Sequence, residues 1–150
     1  MKTTKTKKLE YSLYRYLRTR DEFLCPEVTI GFGSKNYGRV DFLSMDYKNE
    51  FRCYEVKVSV PDFRSKCKHT FEGEYNYFVM TRDMYDKVNK EIPDFVGVLV
   101  PDRDNLDSAW LSLTSIKRAK RQNRRLSDEI MKNSMIRSLA REAEKVWKQS

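Results

Sequence analysis

The sequence predicts a mixed α/β fold, a β-sheet held between helices, on three observations. Apolar residues recur at helical spacing near both ends of the chain, with Leu9, Leu13, Tyr16 and Leu17 marking the first such stripe. Between the ends lie short runs rich in β-branched and aromatic residues, each bounded by Gly, Pro, Asn or Asp. The order of elements is helix, three strands, helix, strand, helix, strand, which is that of a layered sheet rather than of a bundle or a sandwich.

The first stripe predicts an amphipathic helix over residues 6 to 19. Pro26 breaks that pattern, and Glu27 to Phe32 read as the first strand. Gly31, Gly33 and Gly38, with Ser34 and Asn36 among them, mark a turn. Arg39 to Met45 form a second strand, Asp46 to Asn49 a tight connection, and Phe51 to Val58 a third strand. Ser59-Val60-Pro61-Asp62 then has the pattern of a capping box, opening a short helix whose buried stripe is Val60, Phe63 and Cys67. Tyr75 to Met80 read as a fourth strand, and Thr81 to Ile92 as a helix with Met84, Val88 and Ile92 inward, stopped by Pro93. Val96 to Val100 suit a fifth strand and Trp110 to Leu113 a sixth. Ser127 caps a final helix over about 127 to 148, with Leu126 stapled onto Met131 and an inward stripe of Ile136, Leu139, Ala140, Ala143 and Trp147.

At 150 residues the chain accommodates one domain with a proper core, over residues 1–150, and hardly two. Six of its net eight positive charges sit in one acid-free stretch: Lys117, Arg118, Lys120, Arg121, Arg124 and Arg125. Such a concentration on a near-neutral body predicts a polyanionic partner, nucleic acid first, because each neutralised phosphate releases counterions. The stretch from 117 to 125 and the final helix read as an extension of the domain. Cys25, Cys53 and Cys67 are an odd number without close spacing, so neither a disulfide framework nor a Cys-x-x-Cys zinc site follows. No run approaches membrane-spanning length, and the basic N-terminus leads into no apolar segment; a cytoplasmic protein is expected.

The chemistry concentrates at the second and third strands. Strand side chains alternate between faces, so Glu55 and Lys57 point the same way, about 6.6 Å apart along the strand. A hairpin brings Asp41 onto that face. Two carboxylates can hold Mg²⁺ with open positions, and the Val56 carbonyl adds a third hard oxygen, so Asp41, Glu55 and Val56 are the candidate metal ligands. Lys57 stands where it can orient an attacking hydroxide or steady the charge developing at phosphorus. Alternating charges on a solvated strand face, with one cross-strand ion pair, would give the same letters.

Asp41 and then Glu55-Val56-Lys57, set within helix–strand–strand–strand–helix, resemble the PD-(D/E)xK nuclease superfamily. Pro26-Glu27-Val28-Thr29-Ile30, Arg39-Val40-Asp41-Phe42-Leu43 and Tyr54-Glu55-Val56-Lys57-Val58-Ser59, with Asp62-Phe63 and Lys68, are most similar to the MmcB-like DNA-repair-associated family. The likeness covers about residues 9 to 100 and is specific around 54 to 63. It implies a restriction-endonuclease-like mixed sheet flanked by helices, with an αβββαβ core to which this chain adds a C-terminal helix. It also implies a Mg²⁺- or Mn²⁺-dependent deoxyribonuclease, an endonuclease of DNA repair, recombination or phage DNA metabolism, with Asp41, Glu55 and Lys57 as its catalytic core. Glu27 and Glu10 are then candidate further acids. Where the family pattern has a Lys-Trp pair after the short helix, this chain has Lys68-His69-Thr70-Phe71.

Lys66 and Lys68 are candidate DNA contacts close to the scissile group, and solvated helix lysines would look the same. His69 is the single histidine and reads as a surface residue at a helix end; a His-rich metal site is excluded. Tyr75, Tyr77 and Phe78 are read as core before base-stacking. Two rival functions stay open: a nucleic-acid-binding module that keeps the fold without cutting, and an interaction protein whose basic stretch docks an acidic partner. Cutting a duplex with one small domain usually calls for a homodimer; the final helix is a candidate interface for it, the alternative being that its apolar stripe covers the sheet.

Overall fold

The computed structural model describes residues 2–32, 35–65 and 70–149. Lys66, Cys67, Lys68 and His69 lie outside the described residues, as do Gly33 and Ser34.

The chain begins with helix α1 (Thr4–Arg18), N-capped by the Thr3 hydroxyl, which accepts from the Thr6 amide. Three antiparallel strands follow, β1 (Phe23–Phe32), β2 (Lys35–Met45) and β3 (Phe51–Val56). A single-turn helix α2 (Val60–Phe63) leads to β4 (Tyr75–Val79). Helix α3 (Arg82–Val88) runs on as a 3₁₀ turn to Glu91, before β5 (Val96–Pro101), β6 (Leu113–Lys117) and α4 (Asp128–Gln149). The six strands form one sheet in the order β1-β2-β3-β4-β5-β6, with β3, β4 and β5 parallel and the other pairs antiparallel. The expected mixed sheet between helices is therefore present.

Strand alternation sorts the core into two layers. Leu9, Leu13 and Leu17 of α1 pack on Phe42, Tyr54, Val56, Val79 and Leu99 on one face. On the other, Met131 and Met135 of α4 cover Cys25, Val28, Leu43 and Cys53, while Met84 and Val88 of α3 cover Phe78 and Val98. Burying side chains of this size contributes about 1.5–3 kcal/mol each.

Several boundaries differ from the sequence reading, each for a physical reason. β1 starts at Phe23 and runs through Pro26, because β1 is an edge strand where a missing N–H costs no ladder bond. β2 starts at Lys35 and absorbs Gly38, which holds φ 115° against Thr70. β3 stops at Val56, two residues short of the expected Val58. The sixth strand lies at 113–117 rather than 110–113.

The largest correction is the face of α4. Its buried residues are Met131, Ser134, Met135 and Ser138, whereas Ile136, Leu139, Ala140 and Trp147 are exposed, Ile136 at 61% and Trp147 at 72%. Serine hydroxyls decide it. Ser134 Oγ accepts from the Gly31 amide at 3.1 Å, and Ser138 Oγ donates to the Pro26 carbonyl at 2.6 Å, so the two serines satisfy polar backbone groups of β1 that an Ile or Leu face would strand. The cap is as expected: Ser127 Oγ accepts from the Ile130 amide, and Leu126 and Met131 share one core. α4 thus packs on β1 through Met131, Ser134, Met135 and Ser138.

Candidate active site

Asp41 and Glu55 are brought together where β2 and β3 separate. The ladder pairs Met45 with Phe51, Ser44 with Arg52, Leu43 with Cys53 and Phe42 with Tyr54; one step further, Asp41 falls opposite Glu55. The regular ladder ends there because the Asp41 side chain intervenes: Asp41 Oδ2 accepts the Val56 N–H at 2.8 Å. Backbone N–H and C=O groups of one residue leave an extended strand on the same edge, so the Val56 carbonyl faces that edge too.

A kink prepares this. Glu27, opposite Asp41 in register, has φ 49°, a left-handed conformation costly for a non-glycine residue. Across it the alternation slips by one: Cys25 with Leu43 before it and Val28 with Val40 after it enter the same core. Asp41 sits in the slip, between Phe42 on the α1 face and Val40 on the α4 face.

Glu55 is 5% exposed and Lys57 8%. Burial, followed by the charge and hydrogen bond of Asp41, pushes the Glu55 carboxyl up to about 8, against the opposing pull of Lys57 and the Thr70 amide. Thr70 is held at Glu55 by Gly38, whose missing Cβ leaves room for the Thr70 side chain. The Lys57 amide donates to the Val79 carbonyl at 3.0 Å, which anchors the residue beyond the strand end, and Lys57 Nζ lies 3.8 Å from Asp62 Oδ1. Asp62 is placed by the predicted cap: Ser59 Oγ accepts the Asp62 N–H at 3.1 Å. The sequence reading missed Thr70 and the pairing of Asp62 with Lys57, since neither has a local sequence signal.

Glu27, opposite Asp41 in register, and Glu10 are drawn together by cations. Lys2 bridges them, 2.8 Å from Glu10 and 3.4 Å from Glu27, and Arg39 holds Glu27 from the other side at 3.0 Å. Burial raises the Glu27 carboxyl, but Lys2 and Arg39 outweigh that and leave it lowered. Among the described residues no group of three acids, histidines or cysteines converges on a metal-sized point. The donors at the strand end are nonetheless all hard oxygens, two carboxylates and a carbonyl, which fit Mg²⁺ or Mn²⁺ better than a softer ion. Two crowded carboxylates, one driven to hold a proton, are also the electrostatic situation that a divalent cation relieves.

The basic stretch is mostly neutralised within the fold. Arg124 pairs with Glu74 at 2.9 Å, both nearly buried at 11% and 7%, and also reaches Asp128. Arg125 pairs with Glu72 at 2.7 Å and covers the Tyr37 ring; Arg121 pairs with Glu50 at 3.1 Å; Lys120 pairs with Asp94. Lys117 donates to the Pro93 and Val96 carbonyls, both at 2.7 Å. Arg118 is the member left exposed and without an ion pair among the described residues. Asp128 apart, the acids that absorb this charge lie 26 to 71 positions away in sequence, so composition could not reveal them.

No family model matches the chain, and no curated protein sequence matches it. A solved structure is similar in fold: the SPO1766 protein of unknown function from Silicibacter pomeroyi, with a TM-score of 0.65 and 18% sequence identity over 98% of this chain and 91% of that one. At that identity the likeness concerns architecture alone. Among the described residues no helix is long and apolar enough to cross a membrane.

Proposed function

We propose that this protein is a metal-dependent deoxyribonuclease, an endonuclease hydrolysing phosphodiester bonds at the end of β3. The observation that carries the reading is the juxtaposition of Asp41 and Glu55 at the Val56 amide, with Lys57 buried alongside. A buried carboxyl crowded by a second carboxylate costs stability and needs a purpose; relief by a cation supplies one.

Asp41, Glu55 and the Val56 carbonyl would hold Mg²⁺ or Mn²⁺. When bound, the ion supplies Lewis-acid polarisation of the phosphoryl group and a water acidified toward hydroxide. Lys57, steered by Asp62, presents a fixed positive charge to the non-bridging oxygens as negative charge develops there. A bound cation would oppose the upward shift of the Glu55 carboxyl, so binding and deprotonation there would be linked. Glu27, opposite Asp41 in register, and Glu10, tied to it through Lys2, are the candidate further acids of the site. DNA repair, recombination or phage DNA metabolism in a cytoplasmic setting is the context this activity suits. Cutting both strands of a duplex requires two such centres, and the exposed apolar stripe of α4 is the surface on which a second copy would seat.

The rival reading is a DNA-binding module with a silent site, favoured by the lack of a third converging acid among the described residues. Thermal unfolding with and without Mn²⁺ separates them. Wild type should be stabilised by the ion, and Asp41→Asn and Glu55→Gln should lose that response; no response in wild type would support the silent module.

A further inference from the structure

We infer that the cleft between the C-terminal half of α1 and the 110–113 segment is a phosphate-binding site, distinct from the carboxylate pair. The cleft has a volume of about 360 Å³, and Arg15, Tyr16, Arg20, Trp110 and Ser112 line it. Its two arginines are held alike. The Arg15 guanidinium lies 3.9 Å from the Trp110 ring centroid, and that of Arg20 lies 3.8 Å from the Tyr16 ring centroid. An aromatic ring over one face of a guanidinium restricts its rotation and leaves the N–H edge free, which is the form in which arginine makes a two-pronged bond to an oxyanion.

Neither arginine has an acidic partner among the described residues. That sets them apart from the 117–125 stretch, where four of the six cations are matched to carboxylates. The acids in the adjoining cleft, which Arg20 also borders, are engaged elsewhere. Asp46 pairs with Arg52 at 3.0 Å, Glu50 with Arg121, and Glu22 accepts from Ser44 and Tyr54. A helix C-terminus ordinarily repels anions through its free carbonyls. Here the Tyr16 carbonyl accepts the Thr19 hydroxyl at 3.2 Å, and the Leu17 carbonyl accepts the Thr19 and Arg20 amides. Two forks bordering one cleft offer more N–H donors than one carboxylate can use, and they match the several oxygens that a phosphodiester and a free phosphate share.

The phosphate comes from a nucleic-acid strand or from a free phosphate or nucleotide, and the two are separable. Inorganic phosphate, adenosine monophosphate and a short single-stranded oligonucleotide are each titrated calorimetrically, without divalent metal, into wild type, Arg15→Gln, Arg20→Gln and Arg118→Gln. Each cleft substitution should weaken binding about tenfold or more, the loss expected of one charge-assisted bond, while Arg118→Gln leaves phosphate and nucleotide binding unchanged. Affinity for the oligonucleotide alone assigns the phosphate to a strand; affinity for the small anions as well assigns it to a free ligand. Binding of none of the three, or binding indifferent to both cleft substitutions, overturns the inference. Arg15 also packs Trp110 onto α1, so Arg15→Lys, which keeps the charge but not the fork, and thermal unfolding of each variant separate binding from packing. Arg20 is exposed, so Arg20→Gln keeps the test decisive if the Arg15 variants fold poorly. Because no metal is present and Asp41 and Glu55 are intact, failure here leaves the nuclease reading standing, and the converse holds.

Discussion

Val56 donates its backbone N–H to Asp41 Oδ2 at 2.8 Å, one step past the last β2–β3 pair, so a side chain substitutes for the next rung of the ladder. The carboxylate is therefore both a strand terminator and a proposed metal ligand. The two roles come apart by substitution. Asp41→Asn keeps an acceptor for Val56 and should leave urea stability nearly unchanged while abolishing the response to Mn²⁺. Asp41→Ala leaves the amide unpaired and should cost about 1–3 kcal/mol.

Glu55 gives the metal-free protein an unusual pH dependence. In the fold it keeps its proton up to about pH 8, whereas in the unfolded chain it releases it near 4.5. Between those values the unfolded state binds fewer protons, so this group's contribution makes stability fall as pH rises from about 4.5 to about 8, and level off above. Each unit of the shift is worth about 1.4 kcal/mol, so the effect is readily measured by urea unfolding across that range. Glu55→Gln should flatten the profile and be more stable than wild type at pH 8 without metal.

Arg124 and Glu74 form a nearly buried pair whose acid also accepts the Phe51 amide at 3.0 Å. Arg124→Ala strands that carboxylate and should cost about 3–5 kcal/mol in chemical unfolding. Arg118→Ala, drawn from the same basic stretch, should stay within about 0.5 kcal/mol.

On α4, Met135→Ala opens a cavity against Cys25 and Leu43 and should cost about 2–5 kcal/mol. Ile136→Gln, one residue on, should change monomer stability by no more than about 0.5 kcal/mol in the same assay. A helix buried on the stripe read from sequence would give the reverse order.

That reversal illustrates where the sequence was legible. Periodicity located the helices and strands, and Ser59, Thr81 and Ser127 cap α2, α3 and α4 through their hydroxyls. Asp41 opposite Glu55 followed from two strands and a short turn. The buried face of α4 did not follow, because hydrophobicity ranked Ile136 and Leu139 above Ser134 and Ser138, and only the tertiary fold shows that β1 presents polar backbone groups there. The basic stretch misled for a related reason: its partners Glu50, Glu72 and Glu74 are remote in sequence, and net charge says nothing of pairing. Glu10 and Glu27 were placed by resemblance, and Lys2, which claims both, carries no motif.

The most direct test of the central claim is cleavage. Wild type and Lys57→Ala would be incubated with labelled duplex, flap, junction and single-stranded DNA in Mg²⁺, Mn²⁺ or EDTA. The account predicts metal-dependent cutting of at least one substrate by wild type, abolished by EDTA and lost in Lys57→Ala. Wild type that cuts none of them in either metal, or cutting that survives Lys57→Ala, would contradict it.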